Sequence, residues 1–232
     1  MATDRVGISG FAVYVPPYRV DLQHWCDWTS TDWEKTQSVI GRSFRMRGPR
    51  QSIYTMAATA ALRLIEAYDI DPASVGFLGL GTESSTDNSA GAIIVRGMLD
   101  EALRNKGLQP LSRHCEVPEV KHACLGGVYA MKSALRYLAL EAETRCAIVI
   151  SADIAEYERG SSGEATQGAG AVAMLLEREP RLLDVDIRSI GSASTYRAVD
   201  FRKPILRRVT RGSNGHYQDH PVFNGKYSST CH

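Results

Sequence analysis

A chain of 232 residues, 44% hydrophobic and 23% charged, has the make-up of a globular protein long enough to bury a substantial core. Its 27 basic and 26 acidic side chains leave a net charge of +1, which supplies no field for a nucleic acid or an anionic membrane, although residues 202–211 are locally basic. No apolar run approaches the ~18 residues of a membrane span, and the opening MATDRVGI lacks the form of a signal peptide, so a cytoplasmic protein is expected.

Residues 6–15, VGISGFAVYV, are rich in β-branched and apolar side chains and end at Pro16-Pro17, which predicts a first strand. Asp21 is placed to cap a short helix through Trp25, and Thr31 or Asp32 a second one through Val39. Trp25, Trp28 and Trp33 lie between them and suit a small packed subcluster better than a substrate entrance. The four arginines of residues 40–51, IGRSFRMRGPRQ, sit among glycine and proline; this reads as a loop, with phosphate binding only a weak alternative. Ser52 then caps a helix to Tyr68 whose Met56, Ala57, Ala60, Ala61 and Leu64 form a narrow stripe for close packing.

Residues 76–81, GFLGLG, form a short apolar run bounded by turn signals and predict a buried strand. It runs directly into residues 82–87, TESSTD, placing Glu83 beyond the carboxyl end of that strand, where open α/β sheets hold their ligands. Asp87 reads as an ordinary loop or cap residue. A helix over residues 92–105, a strand over 112–117, a buried strand at 146–151, a strand at 168–176 and another at 182–190 follow. GAGAVAM lacks the spacing of a dinucleotide-binding loop. Beyond residue 191 regular structure is hard to place. Alternation of strands and helices predicts an α/β layered core.

The stretch VKHACLGGVYAMKSALRYL, residues 120–138, organises the functional reading. Cys124 falls between a short extended segment and a helix whose Val128, Met131, Leu135 and Leu138 recur at helical spacing, with Gly126 and Gly127 allowing close approach. Unpaired N–H groups at a helix start favour a thiolate, the nucleophilic form. A lone cysteine is also commonly a small buried hydrophobe, and local context leaves both readings open. His122 would point away from Cys124 if the segment is extended, which disfavours it as the paired base. The other cysteines, Cys26, Cys115, Cys146 and Cys231, are scattered, and neither they nor the histidines have disulfide-framework or metal-ligand spacing.

Several stretches together resemble the 3-hydroxy-3-methylglutaryl-CoA synthases of the thiolase superfamily: YVPPYRVD, GTESSTD, EVKHACLGG, SADIAEYERGSSGEATQGAGAVAM, DFRKP and HPVFNGKYS, in the family's order and at about its spacings. The resemblance implies an α/β thiolase-like fold, with residues 1–232 forming a single domain equivalent to the N-terminal half of the family's pseudo-duplicated core and the C-terminal half absent. It implies a Claisen-like condensation in which Cys124 takes an acetyl group from a thioester and its N–H helps to hold an oxyanion. Glu83 removes a proton from the acetyl methyl, and the enol attacks an acetoacetyl thioester. Tyr157, Thr166 and Phe201 match positions that line the acyl pocket. Ala165 stands where the family commonly has proline.

The family's catalytic histidine and much of its coenzyme A cradle lie in the half without a counterpart here, so the resemblance implies an acyltransferase that needs a C-terminal-half protein, a homodimer or both. Coenzyme A thioesters are the expected substrates, with no bound cofactor and no metal. Two alternatives stand beside it: a non-catalytic assembly partner or fragment, and a synthase that installs β-branches on acyl-carrier-protein thioesters.

Overall fold

The computed structural model describes residues 5–88, 90–141, 145–161, 163–195, 205–211, 213, 215 and 217–223. The elements run in chain order β1 (Val6–Tyr14), β2 (Tyr18–Asp21), α1 (Leu22–Thr29), α2 (Trp33–Val39), β3 (Ser43–Met46), α3 (Ile53–Tyr68), β4 (Val75–Gly81), α4 (Gly91–Asn105), β5 (Glu119–Val120), α5 (Gly126–Leu140), β6 (Cys146–Ala155), β7 (Gly168–Arg178), β8 (Leu183–Asp184), β9 (Ile205–Arg211) and β10 (Tyr217–Phe223). They fall into two compact units. The first comprises the described parts of Met1–Val15, Arg50–Asp153 and Gly170–Gly191, and the second those of Pro16–Pro49, Ile154–Ala169 and Ser192–His232.

A six-stranded sheet in the order β5-β4-β6-β7-β1-β8 is the frame of the first unit. β4 runs parallel to both β5 and β6, and β1 antiparallel to β7 and β8, so the sheet is mixed. Every residue of β4 is buried, because the sheet is covered on both faces. Side chains alternate along a strand, and β4 sorts accordingly: Gly79 faces Ala130 of α5, while Leu80 faces Gly91 at the start of α4. On the α5 side, Val6, Phe77, Ala130, Ala134, Leu135, Leu138, Ala147, Val149 and Leu176 form one buried cluster. On the other, Met56, Ala57, Ala60, Ala61 and Leu64 of α3 are all buried, as the stripe of small residues predicts, and α3 packs on β1 and α4. Ser52 closes the start of α3 in a capping box with Thr55. The far end of α5 is held from β7 by the Arg178 guanidinium, which donates to the carbonyls of Leu138 (2.7 Å) and Ala139 (2.9 Å).

In the second unit, β2 and β3 pair as an antiparallel ribbon, and α1 and α2 follow N-caps at Asp21 and Asp32. Trp25 and Trp33 pack against Leu22, Phe44 and Ala165, whereas Trp28 is exposed with the Arg159 guanidinium over its ring. β9 and β10 form a second antiparallel ribbon beyond residue 191.

Several expectations are corrected. The loop read at residues 40–51 contains β3, whose partner strand lies more than twenty residues upstream and leaves no local signature. Two of its four arginines are engaged within the unit: Arg45 donates to the Pro17 carbonyl (3.1 Å) and Arg47 pairs with Glu156 (3.0 Å). The strand read at 112–117 lies further along. Cys115 closes a turn onto the Ser112 carbonyl, and the carbonyls of Glu116, Pro118 and Val120 accept in alternation from Leu78, Leu80 and Thr82, with Pro118 able only to accept. The strand read at 182–190 is the two-residue β8, ended where the Asp186 carboxylate accepts from the Arg188 N–H (2.9 Å).

Candidate active site

Glu83 stands two residues beyond β4, on a loop tied to three elements of the first unit. From the end of β6, one oxygen of Asp153 accepts from the Thr82 hydroxyl (3.0 Å), the Glu83 N–H (2.8 Å), the Ser84 N–H (3.2 Å) and the Ser84 hydroxyl (2.8 Å). From β5, Glu119 uses both oxygens, accepting from the Ser85 hydroxyl (2.6 Å) and from the Gly91 N–H at the start of α4 (2.6 Å). Lys121 donates to the carbonyls of Ser85 and Asp87, both at 2.9 Å. From α3, the Tyr54 hydroxyl donates to the Asp87 carboxylate and accepts from the Thr86 N–H (3.1 Å). A backbone pinned at so many points presents the Glu83 side chain from a preorganised frame, which general acid–base chemistry requires.

Burial pushes the Asp153 carboxyl above its ordinary range, with the donors of Glu83, Ser84 and Thr82 working against that shift and the Glu83 charge adding to it. Burial likewise raises Tyr54, and its bond to Asp87 raises it further.

Cys124 precedes α5 by two residues and is exposed. The short extended segment expected before Cys124 is β5, but it ends at Val120 and a turn leads into the helix: Leu125 donates to the His122 carbonyl (2.9 Å), Gly126 donates to that of Ala123 (3.2 Å), and Ala123 adopts φ 43°, a region that a residue with a side chain seldom occupies. The His122 ring packs on Tyr129, with centroids 4.9 Å apart, so the alternation argument against it does not hold. No side chain caps the start of α5, and its first N–H, that of Gly126, is taken by the Ala123 carbonyl. The buried stripe of α5 is Ala130, Ala134, Leu135, Tyr137 and Leu138. Val128, expected on it, is 51% exposed, since the stripe that meets the sheet runs through Ala130, Ala134 and Leu138 and Val128 falls off it.

Three glycines bring the ends of β4 and β5, and Ser151 within β6, against the start of α5. A Cβ on Gly81 would stand 2.1 Å from the Gly127 nitrogen, one on Gly126 2.7 Å from the Val120 carbonyl oxygen, and one on Gly127 2.0 Å from the Ser151 hydroxyl. Glu83 and Cys124 each lie two residues from this junction. The same end of the sheet therefore carries both.

Tyr157 and Thr166 belong to the second unit. Tyr157 is buried, with its N–H donating to the Gln167 side chain (3.3 Å). Thr166 is exposed on a 3-10 turn, Glu164–Thr166, its hydroxyl donating to the Gly163 carbonyl (2.8 Å). Phe201 lies outside the described residues. Among those described, no group of three or more His, Cys, Asp or Glu side chains is arranged to hold a metal, and no helix is long and apolar enough to cross a membrane. Asp153 escaped the sequence reading although it carried the signal used for Glu83, a carboxylate just after a buried apolar run. Glu119 and Lys121 carried none, since their role depends on contacts with a loop more than thirty residues away.

Residues 2–180 match the family model described as hydroxymethylglutaryl-coenzyme A synthase N terminal. A hydroxymethylglutaryl-CoA synthase of Enterococcus faecalis is 36% identical over 179 residues, which cover 77% of this chain and 44% of that protein. A hydroxymethylglutaryl coenzyme A synthase of Fusarium sp is 31% identical over 239 residues, covering 98% and 46%. Among solved structures, MvaS in complex with 3-hydroxy-3-methylglutaryl coenzyme A aligns with a TM-score of 0.69 at 36% identity, over 76% of this chain and 40% of that one. With its helix-covered mixed sheet, the chain has an α/β, thiolase-like fold. It belongs to the hydroxymethylglutaryl-CoA synthase family, in its N-terminal portion. It spans about half the length of the curated relatives it matches.

Proposed function

We propose that this chain is the cysteine-bearing N-terminal half of a hydroxymethylglutaryl-CoA synthase-type acyltransferase, one thiolase-like domain that works together with a C-terminal half. The Cys124 thiol gives up its proton and attacks the carbonyl of acetyl-CoA as a thiolate, and coenzyme A leaves as the thiol with that proton. Glu83 takes a proton from the methyl of the acetyl-cysteine. The carbon so freed bonds to the ketone carbon of acetoacetyl-CoA, whose oxygen is protonated, and water then cleaves the enzyme thioester to release the product carboxylate and the Cys124 thiol. A soft thiolate suits thioester exchange and a carboxylate suits proton transfer. Tyr157, Thr166 and Phe201 are the proposed lining of the acyl pocket. The observation that carries this reading is the glycine junction, which sets an accessible cysteine at a helix start and a carboxylate on a tied loop at one end of one sheet.

Coenzyme A thioesters are the proposed substrates, supported by the relative solved with 3-hydroxy-3-methylglutaryl coenzyme A. The test is intact-protein mass spectrometry of the chain after incubation with acetyl-CoA, with and without a C-terminal half supplied from a relative. An acetyl adduct that Cys124→Ala abolishes and Cys146→Ala leaves in place is expected. Glu83→Ala should keep the adduct and lose condensation with acetoacetyl-CoA. An adduct that survives Cys124→Ala refutes the assignment. No adduct with either partner state, alongside an adduct from an acetylated carrier protein, would move the donor to that class.

A further inference from the structure

The two side chains of β5 go to opposite layers, as alternation along a strand requires. Val120 packs against the cluster beneath α5, while Glu119, paired with Leu80 of β4, reaches the start of α4 on the other face. Ala90, the residue before α4, supplies no side-chain cap, and the Glu119 carboxylate accepts instead from the N–H of Gly91, the first residue of the helix, at 2.6 Å. The positive end of the helix dipole favours a carboxylate in that place. Gly91 admits the close approach: a Cβ there would stand 3.0 Å from Glu119 Oε2 and 2.9 Å from the Tyr54 ring.

The other oxygen of that carboxylate accepts from the hydroxyl of buried Ser85 (2.6 Å). Glu119 therefore ties together the two ends of residues 85–91, the downstream arm of the loop that carries Glu83. Lys121 grips the same arm through the carbonyls of Ser85 and Asp87, both at 2.9 Å. Glu119 and Lys121 lie five and three residues before Cys124, so the segment that leads to the cysteine also holds the loop of the carboxylate. Cys124 itself is placed by the turn at residues 122–126 and by the glycine junction, contacts in which the Glu119 side chain takes no part.

We propose that Glu119 is a positioning residue for the proton-transfer step: by clamping Ser85 to the start of α4 it sets the reach of Glu83 towards an acyl group on Cys124. This rests on the assignment of Cys124 as nucleophile and Glu83 as base. The clamp separates two steps of that chemistry. Its loss leaves the attack of Cys124 on a thioester in place but slows removal of the methyl proton, because proton transfer depends steeply on where the base stands. Glutamine at this position keeps both contacts, its carbonyl accepting from the Gly91 N–H and its amide donating to the Ser85 oxygen, whereas alanine keeps neither.

The test follows deuterium entering the methyl of the acetyl-Cys124 adduct in D2O, with a C-terminal half supplied from a relative. Glu83 takes a proton from the methyl and returns a deuteron from solvent to the same carbon. The C–D bond survives digestion in H2O while amide deuterium washes out, so the mass of the adduct-bearing peptide reads this step without an acceptor thioester. Glu119→Ala should acetylate Cys124 to within about twofold of the unmodified chain and slow methyl exchange by about tenfold or more, with Glu119→Gln restoring exchange to within about threefold. Ser85→Ala, which removes one contact, should slow exchange by about threefold and carries the test should Glu119→Ala fail to fold. Equal slowing of acetylation and exchange, exchange unchanged by alanine, or glutamine as slow as alanine overturns the proposal. If the unmodified chain takes no acetyl group, or Glu83→Ala exchanges as fast as it does, the assignment of nucleophile or base has failed instead. The clamp is then read from hydrogen exchange of the Thr86 and Gly91 amides: protection lost in Glu119→Ala and kept in Glu119→Gln supports it, and protection unchanged in both overturns it.

Discussion

Gly81 and Gly127 touch backbone to backbone: the Cβ that Gly81 lacks would lie 2.1 Å from the Gly127 nitrogen. The obstacle is main chain of a buried strand and a helix start, neither of which can swing aside as a flexible side chain does. Gly81→Ala is expected to destabilise the protein by more than about 3 kcal/mol, at the high end for overpacking, and to reduce acetylation of Cys124 by displacing the start of α5. Gly97, inside α4 with nothing within 4 Å of its missing Cβ, is the contrast. Gly97→Ala should stabilise by about 1 kcal/mol through helix propensity. Urea unfolding of the two variants measures the difference.

Asp153 holds the loop of Glu83, and its two natural replacements separate geometry from charge. Asparagine retains an acceptor for Thr82, Glu83 and Ser84, whereas alanine strands buried donors, so Asp153→Ala should cost on the order of 3 kcal/mol and Asp153→Asn much less. The pH dependence follows from the raised carboxyl. The folded state holds the Asp153 proton more tightly than the unfolded chain, so its contribution is complete below the unfolded value and is lost as pH rises through the folded one. Asp153→Asn should therefore gain stability relative to the unmodified protein as pH is raised from about 4 towards neutrality. Urea midpoints at several pH values read this directly, and a relative loss over that range would contradict it.

Cysteine labelling offers a separate check on Cys124. Burial pushes Cys115 up to about 11 and also raises Cys146, which leaves little thiolate on either at neutral pH, and Cys26 is buried as well. Among the described cysteines, iodoacetamide near neutral pH is expected to modify Cys124 first, by at least tenfold, and Cys124→Ala should remove that fast phase. Peptide mapping showing Cys146 labelled as quickly would mean that the helix–sheet layer opens readily.

An uncovered apolar surface in the first unit bears on the need for a partner. On the sheet, Phe11 and Val13 are exposed beside Val172, the residue paired with Val13. Just before and on α5, Leu125, Val128 and Tyr129 are exposed beyond Cys124. Surfaces of this kind normally mark an interface. Sedimentation velocity is expected to show self-association of the chain alone, reduced by Val128→Glu or by a C-terminal half of a relative. A well-behaved monomer at high concentration would count against the half-core reading.

Much of this protein was written in local sequence. Ser52 and the small residues after it specified α3, the apolar run before Thr82 specified β4, and Gly126-Gly127 marked the start of α5, because caps, periodicity and glycine act over a few residues. The carboxylate after a buried strand and the cysteine before a helix were legible for the same reason, and the ordered motifs pointed to the family that the comparisons then showed. What the sequence could not reveal were relations across distance. β3 is a strand only because β2 lies beside it, the 112–117 run meets β4 only at Glu116 because a turn precedes it and Pro118 follows, and Val128 falls off the stripe of α5 that meets the sheet. Asp153, Glu119 and Lys121 became part of the site only when β5 and β6 were laid on either side of β4. Local backbone preference chose the elements; steric fit and the pairing of buried polar groups, which exist only once distant segments meet, decided which side chains surround Glu83 and Cys124.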